Sequence, residues 1–261
     1  MAFGAPPDRD TLRRRTGVSE CDLSCVSSSA IFSGRSFDEL ASILIDSAVQ
    51  EFPRNTILFL QGDPAQRFYI VLRGWVKVFR ETRDGRESVL NVFGTGESFA
   101  EAAIFEPMTY PASASACVDV RVLGIPAASF RGRLIADRKL SESFMRTMTL
   151  KMRILTQQVE QLSARSATER LASFLSKLCP EGAETAVVRL PLEKSVIAAR
   201  LGMQPETFSR SMSKLRSVGV GINGDTVSVA NVGALRELSE GESLDHDSGA
   251  CWTGSQGTMS D

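Results

Sequence analysis

ARLGMQPETFSRSMSKLRSVGV, residues 199–220, decides how the chain is read. Gly202 permits a tight turn, because a residue without Cβ enters left-handed backbone conformations at little cost. Pro205 brings the fixed φ favoured at the first position of a helix. Phe208, Met212 and Leu215 then recur at i, i+4 and i+7 and define an inward face. Glu206, Ser209, Arg210 and Ser213 are left on the opposite face. An outward row of Glu, Ser and Arg at a helix N-terminus suits the major groove of double-stranded DNA. Arg can donate two hydrogen bonds to guanine O6 and N7, and Glu can accept from the cytosine amino group. A solvated surface helix would show the same periodicity, so the flanking sequence has to decide.

The flanks read as helix (Ala167 to Leu178), short strand (Ala186 to Leu190), helix (Lys194 to Leu201), turn, helix (Pro205 to Ser217) and two strands around Val220 to Ile222 and Thr226 to Val229. Asn223-Gly224-Asp225 between those strands is a strong hairpin signal. This is the outline of a winged helix-turn-helix over residues 165–235. The whole chain carries a formal net charge of −1, so a nucleic-acid surface has to be local. From Arg165 to Arg236, ten Lys and Arg stand against six Asp and Glu, a net of +4. Residues 236–261, with Glu237, Glu240, Glu242, Asp245 and Asp247, read as an acidic flexible tail that offsets this charge.

Upstream, residues 137–164 read as one long helix. Phe144, Met148, Met152, Leu155, Val159 and Leu162 are spaced by fours and threes, a narrow seam of the coiled-coil kind. Such a seam faces a second copy of the helix, making a homodimer, or else packs on the chain's own upstream domain. Residues 31–136 form that domain. Ser36-Phe37-Asp38-Glu39 has capping-box spacing ahead of Leu40, Ile43, Leu44 and Ala48 on one helical face. The β-rich runs TILFL, FYIVL, WVKVF, SVLNVF and VRVLGI follow, punctuated by Gly62, Gly74, Gly85, Gly94 and Gly96. Short strands with Gly turns predict a β-barrel or jelly roll. Residues 1–30, rich in Pro, Arg and Ser, read as a flexible arm. The fold class is therefore α+β, with a β-barrel, a long dimerisation helix and a C-terminal winged helix-turn-helix. At 261 residues with 43% apolar content, two cores can be filled.

In this order the parts resemble the cyclic-AMP receptor / fumarate-nitrate-reductase regulator (Crp/Fnr) family over roughly residues 31–235. Glu206-Thr207-Phe208-Ser209-Arg210 matches the E-x-x-S-R recognition pattern of the fumarate-nitrate branch. The N-terminal MAFGAPPDRDTLRRR lacks the apolar core of a signal peptide, so a cytoplasmic location is expected, and the resemblance implies an activator that reads TTGAT-N4-ATCAA-like palindromes as a homodimer and works with RNA polymerase. Glu206, Ser209 and Arg210 would contact bases. Thr207, Ser213 and Lys214 complete the DNA-binding set, with Thr207 and Lys214 on phosphate. GTGESFAEAAIFEPMTYPASASA, residues 94–116, resembles the family's phosphate-binding cassette, so Glu97, Glu101, Tyr110 and Ser113 are the expected effector-pocket residues. Where cyclic-nucleotide-binding members place an Arg, this chain has Tyr110-Pro111, and Ala100 replaces a nearby Gly. A buried phosphate without a cation is costly. A cyclic nucleotide is therefore not the expected effector, and a cyclic-nucleotide-responsive regulator or module is the alternative reading. The FAEAAIF and YPASA wording is similar to the dissimilatory nitrate respiration regulators (Dnr), which implies a redox, nitric oxide or low-oxygen signal.

The cofactor stays open between haem, an iron–sulfur cluster and none. The one histidine, His246, lies in the acidic tail, so no imidazole from barrel or dimer helix is on hand for haem. Cys21, Cys25 and Cys117 are candidate metal ligands, although C-x3-C plus one central Cys departs from the family's cluster pattern, and free thiols are the plainer reading. Without a core histidine, a P-loop or a GxGxxG stretch, an enzyme is not expected. No apolar run reaches membrane-spanning length, and a membrane partner is not expected.

Overall fold

The structure is a computed structural model and describes residues 7–81, 87–105 and 109–240, without the side chains at 158 and 160–164. The seam residue Leu162, along with His246, Cys251 and the rest of the tail from 241, therefore lies outside the described residues. Three helices open the chain: α1 (Arg9–Thr16), α2 (Glu20–Ser28) and α3 (Phe37–Leu44). The first two correct the expectation of a loose arm over 1–30. Asp8 caps α1 by accepting from Thr11 N, and Ser19 with Asp22 forms a capping box on α2. Leu12, Val18 and Val26 are buried. Short caps and a few apolar residues thus fix a polar segment that shows no sustained period.

The barrel strands are β1 (Ala48–Phe52), β2 (Ile57–Phe59), β3 (Arg67–Arg73), β4 (Trp75–Glu81), β5 (Glu87–Gly94), β6 (Ser98–Phe99), β7 (Ser113–Ala116) and β8 (Val120–Pro126). They form two four-stranded antiparallel sheets, β1-β8-β3-β6 and β2-β7-β4-β5. β3 is buried on both faces. Phe68, Ile70 and Leu72 meet a core beneath the helices, whereas Tyr69 and Val71 face the core between the sheets. This double burial is why FYIVL reads as a continuous apolar run instead of an alternating one. β1 and β7 did not stand out in the sequence; β7 is Ser-Ala-Ser-Ala, all buried, with little side chain to advertise a strand.

α4 (Ala127–Ala136) follows the barrel and α5 (Arg138–Ala164) leaves it. The seam on α5 divides. Phe144 is buried against Phe130 and Phe105 of its own domain, and Met148 packs on the same core, which corrects the expectation that both face a partner helix. The first turns of α5 lie on α4, so barrel packing claims them before any second chain can. Met152, Leu155 and Val159 are exposed, and so are Met145, Leu150 and Ile154 beside them.

The C-terminal domain comprises α6 (Ala167–Leu178), β9 (Ala186–Arg189), α7 (Lys194–Arg200), α8 (Pro205–Leu215), β10 (Val220–Asn223), β11 (Thr226–Val229) and α9 (Val232–Glu240). β10 and β11 pair as the predicted hairpin, and β9 adds to β11. The residues from 236 to 240, expected to begin the tail, finish α9, whose Val232 and Leu235 are buried in the domain core.

Candidate nucleic-acid interface

α8 starts from Gln204 with Pro205 in its first turn, and Gly202 makes the preceding turn at φ +63°. Phe208, Met212 and Leu215 are buried against α6, α7 and the small sheet. Their burial fixes the rotation of the helix and leaves Glu206, Ser209, Arg210, Ser213 and Lys214 exposed on the other side, with Thr207 half-buried. Arg210 Nη2 donates to Thr207 Oγ1 at 3.3 Å, so one guanidinium nitrogen is steadied and the rest of the fork is free to reach outward. Ser209 and Ser213 hydroxyls donate back to the carbonyls of Pro205 (3.0 Å) and Ser209 (3.1 Å). Arg170 on α6 donates to the carbonyls of Arg165 (2.7 Å) and Leu201 (2.9 Å), tying the start of the domain to the α7–α8 turn.

This domain sits against the barrel. Val92 of β5 is buried in its core cluster, Arg200 lies 5.0 Å from the Trp75 ring and donates to Val92 O, and Arg54 pairs with Glu193. A 460 Å³ cavity remains at this seam, lined by Trp75, Leu90, Arg165, Arg170, Phe174 and Lys177 among others. None of these contacts was legible in the sequence, because each joins residues far apart along the chain.

The expected effector-pocket residues do not converge. Glu97 is exposed and its carboxylate accepts from Gly94 N at 2.6 Å. Ser113 Oγ accepts from Gln61 N at 2.9 Å. Tyr110 is buried, with its ring 3.7 Å from that of Phe59 and its hydroxyl donating to Arg67 O at 2.7 Å. Tyr69 and Phe99 extend this stack into the barrel. Burial pushes the Tyr110 phenol well above its usual pKa, so it stays protonated and donating. Arg80 reaches Tyr110-Pro111 from the surface, but it is exposed and its Nε donates to Pro111 O at 3.0 Å. Glu101, half-buried, accepts from Ser98 Oγ at 2.6 Å and pairs with Lys151 of α5, a partner the sequence reading did not identify.

The candidate metal ligands also stand apart. Cys21 is exposed, Cys25 Sγ donates weakly to Val71 O, and Cys117 lies near Lys77 at the end of β7. Burial raises the Cys25 thiol and pushes Cys117 up to about 11, so both favour the protonated form that binds metal poorly. Among the described residues no three His, Cys, Asp or Glu side chains come together as a metal site. The described donors do not fit an iron–sulfur cluster.

Two family descriptions match the chain: a cyclic nucleotide-binding domain over residues 49–137 and a Crp-like helix-turn-helix domain over residues 169–238. A crystal structure of a provisionally assigned cyclic nucleotide binding protein from Ruegeria pomeroyi is 33% identical, with a TM-score of 0.65, covering 85% of this chain and 98% of that one. The CRP-like cAMP-activated global transcriptional regulator of Mycobacterium tuberculosis is 28% identical over 77% of this chain and 92% of its own length. The anaerobic regulatory protein of Pasteurella multocida is 25% identical over 84% of this chain and 81% of its own. Fold and interface together define a DNA-binding transcription regulator built on a cyclic-nucleotide-binding-type barrel. The chain belongs to the Crp/Fnr family. No described helix is long and apolar enough to cross a membrane.

Proposed function

We propose that the chain is a homodimeric, sequence-specific regulator that reads an Fnr-like palindrome of the TTGAT-N4-ATCAA kind, acts mainly as an activator through RNA polymerase, and responds to a redox, nitric oxide or low-oxygen signal. The observation that carries the reading is the exposed row Glu206, Ser209 and Arg210 on α8, held outward by buried Phe208, Met212 and Leu215. Base contacts come from that row, whereas Lys214 and neighbouring basic residues hold phosphate. Two such helices must present themselves about one helical turn of DNA apart, roughly 34 Å, and the exposed stripe on α5 supplies the surface for pairing them. The signal class rests on the likeness of FAEAAIF and YPASA to nitrate respiration regulators and is assigned to no particular cofactor.

The second reading, a cyclic-nucleotide-responsive regulator, is favoured by the names of two relatives. Against it stands the Tyr110–Phe59 stack, at the position where, by the family resemblance, cyclic-nucleotide-binding members carry an Arg for the phosphate. Fluorescence anisotropy on the palindrome and on a scrambled duplex tests the main reading. Preference for the palindrome by at least about a thousandfold at physiological salt is expected, and equal affinity for both would overturn it. Millimolar cyclic AMP or cyclic GMP should leave the palindrome affinity unchanged; a gain with either would favour the second reading.

A further inference from the structure

Strands β4 and β5 carry the barrel's contact with the C-terminal domain. Trp75 lies across Gly94, where an added Cβ would come within 2.8 Å of the ring. Arg200 of α7 covers that ring at 5.0 Å, and its Nη1 donates to Val92 O at 3.2 Å. Between these contacts and α6 the 460 Å³ cavity is left, the size of a small-molecule site. Its wall is of two kinds. Leu90, Phe174, Leu178 and Pro191 are apolar, and Leu90 is 52% exposed. Arg165, Arg170, Lys177 and Arg200 are cationic, and no carboxylate of the described residues lines the cavity beside them. Arg170 is committed to the carbonyls of Leu201, Arg165 and Gly202, and burial lowers its pKa, as expected of a cation short of counter-charge. Arg165 and Lys177 make no ion pair among the described residues. None of the lining residues belongs to the cassette over 94–116.

We propose that this cavity is a binding site for a small amphipathic anion, a carboxylate or phosphate head joined to an apolar body. Arg165 and Lys177 take the head, the first through its planar fork of donors and the second as a point charge. Leu90, Phe174 and Leu178 cover the body. Such a ligand removes the apolar face of Leu90 from water and supplies the counter-charge that the wall lacks. Because Leu90 belongs to β5 and the other four residues to the C-terminal domain, the occupant touches both domains at once.

The test uses the full chain with Trp252→Phe, which leaves Trp75 as the one tryptophan. The probe is anilinonaphthalene sulfonate, an apolar ring system with an anionic head, and quenching of Trp75 by energy transfer reports dye in the cavity. One saturable dye per chain is expected, displaced by decanoate and not by the same concentration of inorganic phosphate. Arg165→Gln together with Lys177→Gln should weaken the dye at least about tenfold, since each lost charge removes charge-assisted hydrogen bonds. Leu90→Gln should weaken it at least about threefold from the barrel side. No DNA enters the measurement, so its result is independent of the palindrome reading. Absence of saturable binding overturns the proposal. So does dye binding that all three changes leave untouched, which would lie elsewhere, on the exposed stripe of α5 for example. Displacement by phosphate alone also overturns it, because the apolar body would then contribute nothing. Leu90→Gln, a change at an exposed position, carries the test if the double variant does not fold.

Discussion

Ala100 occupies the left-handed region, at φ 63° and ψ 27°, immediately before the cassette turn. A side chain with a Cβ is strained there by about 1–2 kcal/mol, which Gly avoids at the expense of a more mobile unfolded chain. Ala100→Gly should therefore stabilise the barrel by about 0.5–1 kcal/mol in urea unfolding. A loss of stability would show that the methyl group contributes more by packing than it costs in strain. The sequence marked this position, since Ala stands where the family resemblance expects Gly, but the strain becomes visible only with the backbone angle. Tyr110 is similar. That it stands where the family resemblance expects a cation was legible, whereas its packing was not, because Phe59 and the Arg67 carbonyl that hold it come from β2 and β3, more than forty residues upstream.

Among the elements, α6, α7 and α8 were legible nearly to the residue, because Gly202, Pro205 and a regular apolar spacing punctuate them. α1 and α2 were not. Their order depends on Arg121 of β8, which reaches across to Asp22 at 2.9 Å, to Glu51 and to the carbonyl of Gly17. Burial pushes the Asp22 carboxyl up, but hydrogen bonds from Arg121 and Ser19 outweigh it and hold the group below its usual value. A depressed folded pKa contributes stability above the unfolded value, about 4, and that contribution is lost as pH falls through the folded one. Arg121→Met should cost about 1–3 kcal/mol at neutral pH, and its stability should fall less than the wild type's between about pH 4 and pH 3. Parallel acid profiles in urea unfolding would mean that Asp22 is not held by Arg121. The seam on α5 shows the converse limit. Heptad spacing alone cannot say which of its residues a neighbouring domain will claim, and Phe144 and Met148 went to the barrel.

Reading a palindrome requires two chains joined along the exposed part of α5 and two recognition helices presented together. A charge at Leu155, which is 54% exposed in the single chain, would be buried against its symmetry mate in such a dimer. Leu155→Glu should sediment as a folded monomer and lose the palindrome; a dimer of wild-type stability would place the pairing surface elsewhere. Base reading by Arg210 of α8 and phosphate holding by Lys214 leave different signatures. Arg210→Ala should cost about 1–3 kcal/mol per half-site on the palindrome and little on unrelated DNA. Lys214→Ala should weaken both and flatten the salt dependence by about one unit of slope per subunit. The deciding measurement is a salt titration of wild type, Arg210→Ala and Lys214→Ala on the palindrome and on a scrambled duplex. A selective loss for Arg210→Ala beside a uniform loss for Lys214→Ala is the predicted result, and an equal loss on both duplexes for Arg210→Ala would contradict the account.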